Sequence, residues 1–334
     1  MVERSQVIEA LERAAPGRAS GITVSPDGAV GFVLAVDGLP RDAGEMLQAR
    51  VEAAVRAVAG VTAVRAILTA ERGMAPAEPV KPIKRILAVA SGKGGVGKST
   101  VAVNVAVALA QQGYAVGLLD ADIYGPSVPT LLGLEGRAML ENQRIQPMEA
   151  HGLKALSIGM MTDPDKAVVW RGPMAASAMT QMIDHADWGD LDILVIDLPP
   201  GTGDIQLTMA QKIKPDGAII VSTPQDLALI DARKAISMFA QVDVAVLGLV
   251  ENMSVFVCPQ CGERSHIFGE GGAEDEAARI GVPFLGAIPL HAGIREASDA
   301  GRPPAAGTTE QAQAYREIAV RVAQRLNLAA GRAS

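Results

Sequence analysis

The sequence predicts an α/β chain in which a doubly wound, mostly parallel sheet is preceded by a small α+β domain. Three observations carry this expectation. From Arg85 onward, short apolar runs alternate with helical stretches; a glycine-rich segment containing two lysines follows the first run; and Pro76, Pro79 and Pro82 stand between this region and everything before it. With 334 residues and 49% hydrophobic content, the chain is long enough to bury one large core and one small one.

The small domain is expected over 1–72. Val7, Ile8 and Leu11 recur at helical spacing. Strands are expected near Ile22–Val24 and Val30–Val36, a helix over Ala43–Val58, and a strand at Val61–Leu68. A semi-stiff linker follows over 73–84, because a proline disfavours helix at the residue before it. The large domain, 85–334, contains the runs Ile86–Ala90, Val116–Leu119, Ile193–Ile196, Ala218–Val221, Val244–Val250 and Phe284–Ile288. Such nearly continuous apolar runs suit strands covered on both faces. Ligands of these sheets bind beyond the carboxyl ends of the strands, so the polar residues after each run are the candidates for chemistry. Tyr315, Ile318, Ala319, Val322 and Leu326 then mark a closing helix packed on the sheet.

After Ile86–Ala90 comes Gly92-Lys93-Gly94-Gly95-Val96-Gly97-Lys98-Ser99-Thr100, which fits G-x-x-x-x-G-K-[ST] with Gly92, Gly97, Lys98 and Ser99 in the defining places. The glycines let the backbone fold back so that N–H groups face phosphate oxygens. A helix expected over Thr100–Gln112 points its positive end at the same anion. Lys98 is expected on the β- and γ-phosphates of ATP and Ser99 on Mg2+. A merely structural turn needs neither side chain. Asp120 and Asp122 follow the second run, where a carboxylate can orient the attacking water or hold Mg2+ through a water, and Asp197 closes the third in the Walker B arrangement. In Pro199-Pro200-Gly201-Thr202-Gly203-Asp204 the glycines suit a backbone that approaches the γ-phosphate and moves when it leaves.

The only cysteines lie in Cys258-Pro259-Gln260-Cys261-Gly262. Two thiols on one tight turn can grip a single metal centre, and the spacing alone leaves open half a zinc site, half a cluster site or a redox pair. Zinc and a [4Fe-4S] cluster each usually take four protein ligands, so a symmetric pair of chains could complete the set. His266, five residues beyond Cys261, is not included as a ligand, and His151, His185 and His291 show no metal spacing. Met160, Met161, Met174, Met179 and Met182 are expected in core or interface packing. The formal charge of −7 offers no broad basic field for nucleic acid or anionic lipid, and no run approaches the ~20 apolar residues of a membrane span. Residues Met1 to Ala14 hold five charged side chains and no apolar h-region of a secretory signal. A cytoplasmic protein with neither nucleic acid nor membrane as partner is expected.

With Lys93 included, the loop resembles the deviant Walker A signature K-G-G-x-G-K-[ST] of the MinD/ParA and nitrogenase iron protein class. That resemblance implies a dimer in which Lys93 reaches the partner's nucleotide. It also implies that Asp122 is the switch I aspartate, that residues 199–204 are switch II, and that Asn252 reads the adenine edge. From about Arg85 to Gln324 the chain further resembles the Mrp/ApbC family of iron-sulfur carrier ATPases. Besides the P-loop, the resemblance rests on Asp120-Ala121-Asp122-Ile123-Tyr124-Gly125-Pro126-Ser127, Trp170-Arg171-Gly172-Pro173-Met174, Thr223-Pro224-Gln225-Asp226 and Ile288-Pro289-Leu290. Its most distinctive stretch runs from Asn252-Met253-Ser254 through the cysteine turn to Ile267-Phe268-Gly269.

The family implies a homodimer that holds a [4Fe-4S] cluster on Cys258 and Cys261, hydrolyses ATP slowly and passes the cluster to apo-proteins. Two departures stand out. Ala15-Pro16-Gly17 occupies the place of an Asp-Pro-Glu motif, with no cysteine before Cys258, and His291 replaces a common aspartate. The alternatives are a positioning ATPase of the MinD/ParA type, a single-electron reductase, and a zinc-bridged dimer whose assembly ATP regulates.

Overall fold

The computed structural model describes residues 2–25, 28–36, 41–69, 83–123, 125–141, 144–160 and 172–329. The expected linker up to residue 82, together with Tyr124, Met161, Trp170 and Arg171, lies outside them. The chain divides into two compact units, Met1–Glu78 and Pro79–Ser334.

The first unit runs α1 (Arg4–Ala14), β1 (Ala19–Val24), β2 (Ala29–Ala35), α2 (Arg41–Arg56) and β3 (Ala63–Thr69). Its sheet has the order β1-β2-β3. A short connection makes β1 and β2 antiparallel, whereas the α2 crossover brings β3 back parallel to β2. Val30, Phe32 and Leu34 alternate inward from β2 onto Val7, Leu11, Val51 and Val55, which explains the helical spacing read in α1.

The second unit begins β4 (Ile86–Ala90), α3 (Lys98–Gln111), β5 (Val116–Asp120) and α4 (Val128–Leu132). A small excursion follows: β6 (Met139–Glu141), β7 (Arg144–Gln146), β8 (Met148–Ala150) and β9 (Leu153–Ser157). Then come α5 (Gly172–His185), β10 (Ile193–Asp197), α6 (Asp204–Ile213), β11 (Gly217–Ser222) and α7 (Asp226–Gln241). The unit closes with β12 (Val246–Val257), β13 (Arg264–Ser265), α8 (Gly272–Ile280), β14 (Phe284–Leu290), α9 (Ala292–Asp299) and α10 (Glu310–Arg325).

Nine strands form one sheet in the order β13-β12-β11-β4-β10-β5-β9-β8, with β14 also on β12. Among the described residues only β8 and β13 pair antiparallel in this sheet, so it is mostly parallel as expected. Leu87 and Val89 of β4 enter one core with α3 and α10, while Ala88 and Ala90 enter the other with α5, α6 and α7. Burial on both faces is why these strands read as unbroken apolar runs. Tyr315, Ile318, Ala319 and Val322 are each 1% exposed or less, in agreement with a closing helix on the sheet. Met160, Met179 and Met182 are core residues, whereas Met174 is 51% exposed.

Most boundaries shift by one or two residues from the sequence expectation, and two of the differences bear on the candidate site. Helix α3 starts at Lys98 rather than Thr100, because Gly97 supplies the left-handed residue that turns the loop into the helix. Strand β12 continues past Val250 to Val257, because Asn252 and Phe256 still find partners on β14 and the last two residues pair with β13.

Candidate functional site

The glycine-rich loop leaves the carboxyl end of β4, between β11 and β10. Ser91 Oγ donates to the Lys93 carbonyl at 2.8 Å, and Gly95 and Gly97 hold φ of 80° and 81°. Gly92 packs on the backbone of Asp231 in α7 so closely that a Cβ would overlap it, so no larger residue fits at the first loop position. Lys98, only 5% exposed, opens α3. Lys93 is half-buried, and among the described residues no hydrogen bond or ion pair holds its ammonium group.

Register places the carboxylates. Asp197 pairs with Val89 on one side of β10 and with Asp120 on the other, and residues in parallel register point to one face. Lys98 Nζ lies 2.6 Å from Asp197 Oδ1, 3.2 Å from Ser99 Oγ and 3.9 Å from Asp122 Oδ2. One cation thus joins Lys98, Ser99, Asp122 and Asp197 in a single cluster. Burial raises the Asp197 carboxyl above the usual carboxylate range, opposed by Lys98.

Asp120 has a different environment from Asp122. Its Oδ1 accepts from the Asp122 N–H at 3.0 Å, and its Oδ2 accepts from Ser127 N–H, Val128 N–H and Ser157 Oγ. These bonds shape the loop that carries Asp122 and start α4. Burial, and then the charge of Asp197, pushes the Asp120 carboxyl up to about 7.

Segment 199–204 lies against the loop. Gly201 N–H donates to the Ser91 carbonyl at 3.0 Å, and Pro200 carbons lie 3.9 Å from where a Gly94 Cβ would sit. The Gln206 amide, 2% exposed, donates to the Pro199 carbonyl and so holds this segment from α6. Neither Gln206 nor Ser157 is among the residues the sequence points to. A buried glutamine two residues into a helix after Gly203 gives little periodic signal, and Ser157 ends a strand interrupted by Lys154.

Asn252 lies within β12 and is 7% exposed; its Nδ2 donates to the Val96 carbonyl at 2.8 Å. The amide oxygen is the remaining acceptor on that side chain. His291 caps α9, with Nδ1 accepting from Gly293 N–H at 3.0 Å. Capping by a side-chain acceptor is a role an aspartate can also fill.

The cysteines form the turn of the β12–β13 hairpin. Cys258 N–H donates to the Glu263 carbonyl and Gly262 N–H to the Cys258 carbonyl, each at 2.9 Å, with Gly262 at φ 74°. Cys258 is half-buried and Cys261 exposed, and neither is in a disulfide. The Cys261 and Gln260 N–H groups pull the Cys258 thiol below its ordinary range, favouring the thiolate that metals bind. His266 faces Glu270 at 3.6 Å. Among the described residues, no group of three or more His, Cys, Asp or Glu side chains is placed to hold a metal ion.

Two observations test ATP and Mg2+ against this geometry. Asp122 Oδ1 and Asp197 Oδ2 are buried without a hydrogen-bond partner, leaving two carboxyl oxygens with unused capacity beside Lys98. The loop has left-handed glycines and a helix amino terminus where phosphates are held. The residues fit both groups.

The family model described as ParA, the NUBPL iron-transfer P-loop NTPase, matches residues 82–323. An iron-sulfur cluster carrier protein of Synechocystis is 45% identical over 315 residues, covering 91% of this chain and 89% of that protein. One of Haemophilus influenzae is 53% identical over 251 residues, 74% of this chain and 68% of that protein. A nucleotide-binding protein of Archaeoglobus fulgidus, solved in complex with ADP, aligns with a TM-score of 0.59 at 45% identity, covering 66% of this chain and 87% of its own.

Proposed function

Because this chain belongs to the ParA/NUBPL family of iron-transfer P-loop NTPases, we propose that it binds and hydrolyses ATP and carries a [4Fe-4S] cluster, bridged between two subunits, for transfer to apo-proteins. The observation that carries this reading is the pairing, in one folded unit, of a phosphate loop with a hairpin turn that presents Cys258 and Cys261 without a third ligand group among the described residues. Two such turns brought together by a twofold axis supply four thiolates, the number such a cluster takes.

In this reading residues 92–100 cradle the phosphates. Mg2+, when bound, neutralises charge on the β- and γ-phosphate oxygens, and Ser99, Asp122 and Asp197 are the side chains that hold it or its waters. Lys98, now on Asp197, exchanges that partner for phosphate when nucleotide enters. Asp122 accepts a hydrogen bond from the attacking water, a role that its unpartnered buried oxygen supports. Lys93 serves in trans, as a cation on the charge developing in the other subunit's site. Asn252 keeps its amide N–H on Val96 and offers its oxygen to the adenine amine. Hydrolysis is slow, and its role is to time delivery of the cluster. The cluster is cargo, and the cytoplasm is the implied compartment, since reducing conditions preserve the free thiols of an exposed turn.

The test is transfer itself. Full-length protein loaded under anaerobic conditions is mixed with an apo-protein whose activity needs a [4Fe-4S] cluster. Activation that requires Cys258 and responds to MgATP is expected. Failure to activate despite a loaded cluster excludes delivery. Binding to liposomes or DNA with no cluster uptake would favour a positioning ATPase, and the acidic charge of −7 speaks against that outcome.

A further inference from the structure

Strand β12 touches the phosphate loop at one point and carries the cysteine turn at its end. Asn252 Nδ2 holds the Val96 carbonyl at 2.8 Å and occupies the space where a side chain on Gly97 would lie. The Met253 methyl comes within 3.8 Å of that same position. Two consecutive side chains of β12 therefore rest on the loop where it turns, at φ 81°, into α3.

Met253 itself has φ of 58°, the left-handed region that a long side chain rarely adopts. At the same place the register of β12 against β14 shifts, between Asn252 and Phe256. Ser254 Oγ, donating to the Ile288 carbonyl at 3.1 Å, re-ties the strand just beyond. Phe256 and Val257 then pair with β13, and the next residue is Cys258. A strained residue with a register break on one side and the loop on the other is where a strand can change course, because its conformation persists only while its neighbours hold it.

We propose that Asn252 and Met253 are positioning residues that couple the phosphate loop to the cysteine turn: when the loop closes on nucleotide phosphates, Met253 changes backbone state and the Cys258–Cys261 hairpin is re-aimed. This deepens the proposed function and rests on its two sites, since it assigns the path by which nucleotide regulates the thiols. The path lies within one subunit, so it operates before any cluster is present.

The test therefore uses the full chain without cluster, under anaerobic reductant, with alkylation of Cys258 and Cys261 by iodoacetamide followed by peptide mass. In the wild type, saturating MgADP is expected to change the Cys258 rate several-fold. Met253→Gly, in which glycine adopts the same φ without strain, is expected to bind MgADP as the wild type does, by fluorescent-nucleotide titration, and to lose the rate difference. Met253→Leu, which restores bulk against the loop, is expected to recover it. A wild-type rate that ignores bound MgADP overturns the proposal and leaves the ATP and thiol sites standing. A nucleotide response that persists in Met253→Gly overturns it as well. Absence of MgADP binding in the wild type fails both the coupling and the proposed function.

Discussion

Lys98 holds Asp197 at 2.6 Å from a position 5% exposed, so it opposes the burial that raises the Asp197 carboxyl. Removing one partner of a buried ion pair leaves the other charge uncompensated. Lys98→Ala is expected to abolish nucleotide binding and to cost ~3–5 kcal/mol of stability in the nucleotide-free protein, read by urea unfolding. Lys93 gives the opposite profile, because nothing among the described residues depends on its ammonium group. Lys93→Ala is expected to fold normally, bind nucleotide, and lose on the order of 10³-fold in ATP turnover, the scale of a missing trans-acting cation. Normal turnover in that variant would remove the reason for placing Lys93 across a dimer.

Asp120 gives a pH prediction at the same scale. Its native carboxyl keeps a proton to about pH 7, whereas the unfolded chain releases it near the usual value of about 4. Between those values the native state binds more protons, so this group's contribution to stability falls as pH rises through the window and is level above it. The urea midpoint of wild type should therefore drop, relative to Asp120→Asn, between about pH 4 and about pH 7, and hold level above that. A difference that grows in the other direction would contradict the assignment.

At the scale of elements, β4, β5, β10 and β11 are legible in the sequence as apolar runs because both faces of each are buried, whereas β14, buried only at Leu285 and Ile288, also stands on an apolar run. Strands β6 to β8 and β13 have two or three residues each, too short for any alternation to register. β9 is hidden by Lys154, whose ammonium group leaves the strand to reach the Asp187 carbonyl. The site divides similarly. A motif tied to phosphate chemistry announces Lys98, Ser99 and the loop glycines, whereas Asn252, expected just after its strand, lies inside it and bonds the loop. Contacts between sequence-distant elements leave no local pattern. Gly97 shows one such dependence, since its φ of 81° and the Asn252 amide beside it exclude a Cβ. Gly97→Ala is expected to lose nucleotide binding while the circular dichroism of the sheet is retained.

At the scale of the whole molecule, two units have separate cores, and the sites proposed for nucleotide and cluster both lie in the second. Among the described residues no helix is long and apolar enough to cross a membrane. The departure at Ala15-Pro16-Gly17 falls at the end of α1, where Ala15 is 2% exposed and packs into the small core, so the fold of that unit does not need the motif it lacks. A truncated chain beginning at Pro79 is accordingly expected to keep ATP turnover and cluster binding, measured side by side with the full chain; loss of both would assign the first unit a part in the site.

The central claim is that two chains, each offering two thiols, share one cluster. It is tested most directly by counting iron, sulfide and zinc per dimer after anaerobic purification and reconstitution, for wild type and for Cys258→Ala. The account predicts four irons and four sulfides per wild-type dimer and their loss in the variant. Stoichiometric zinc in place of iron and sulfide, or a full cluster retained on a monomer, would contradict it.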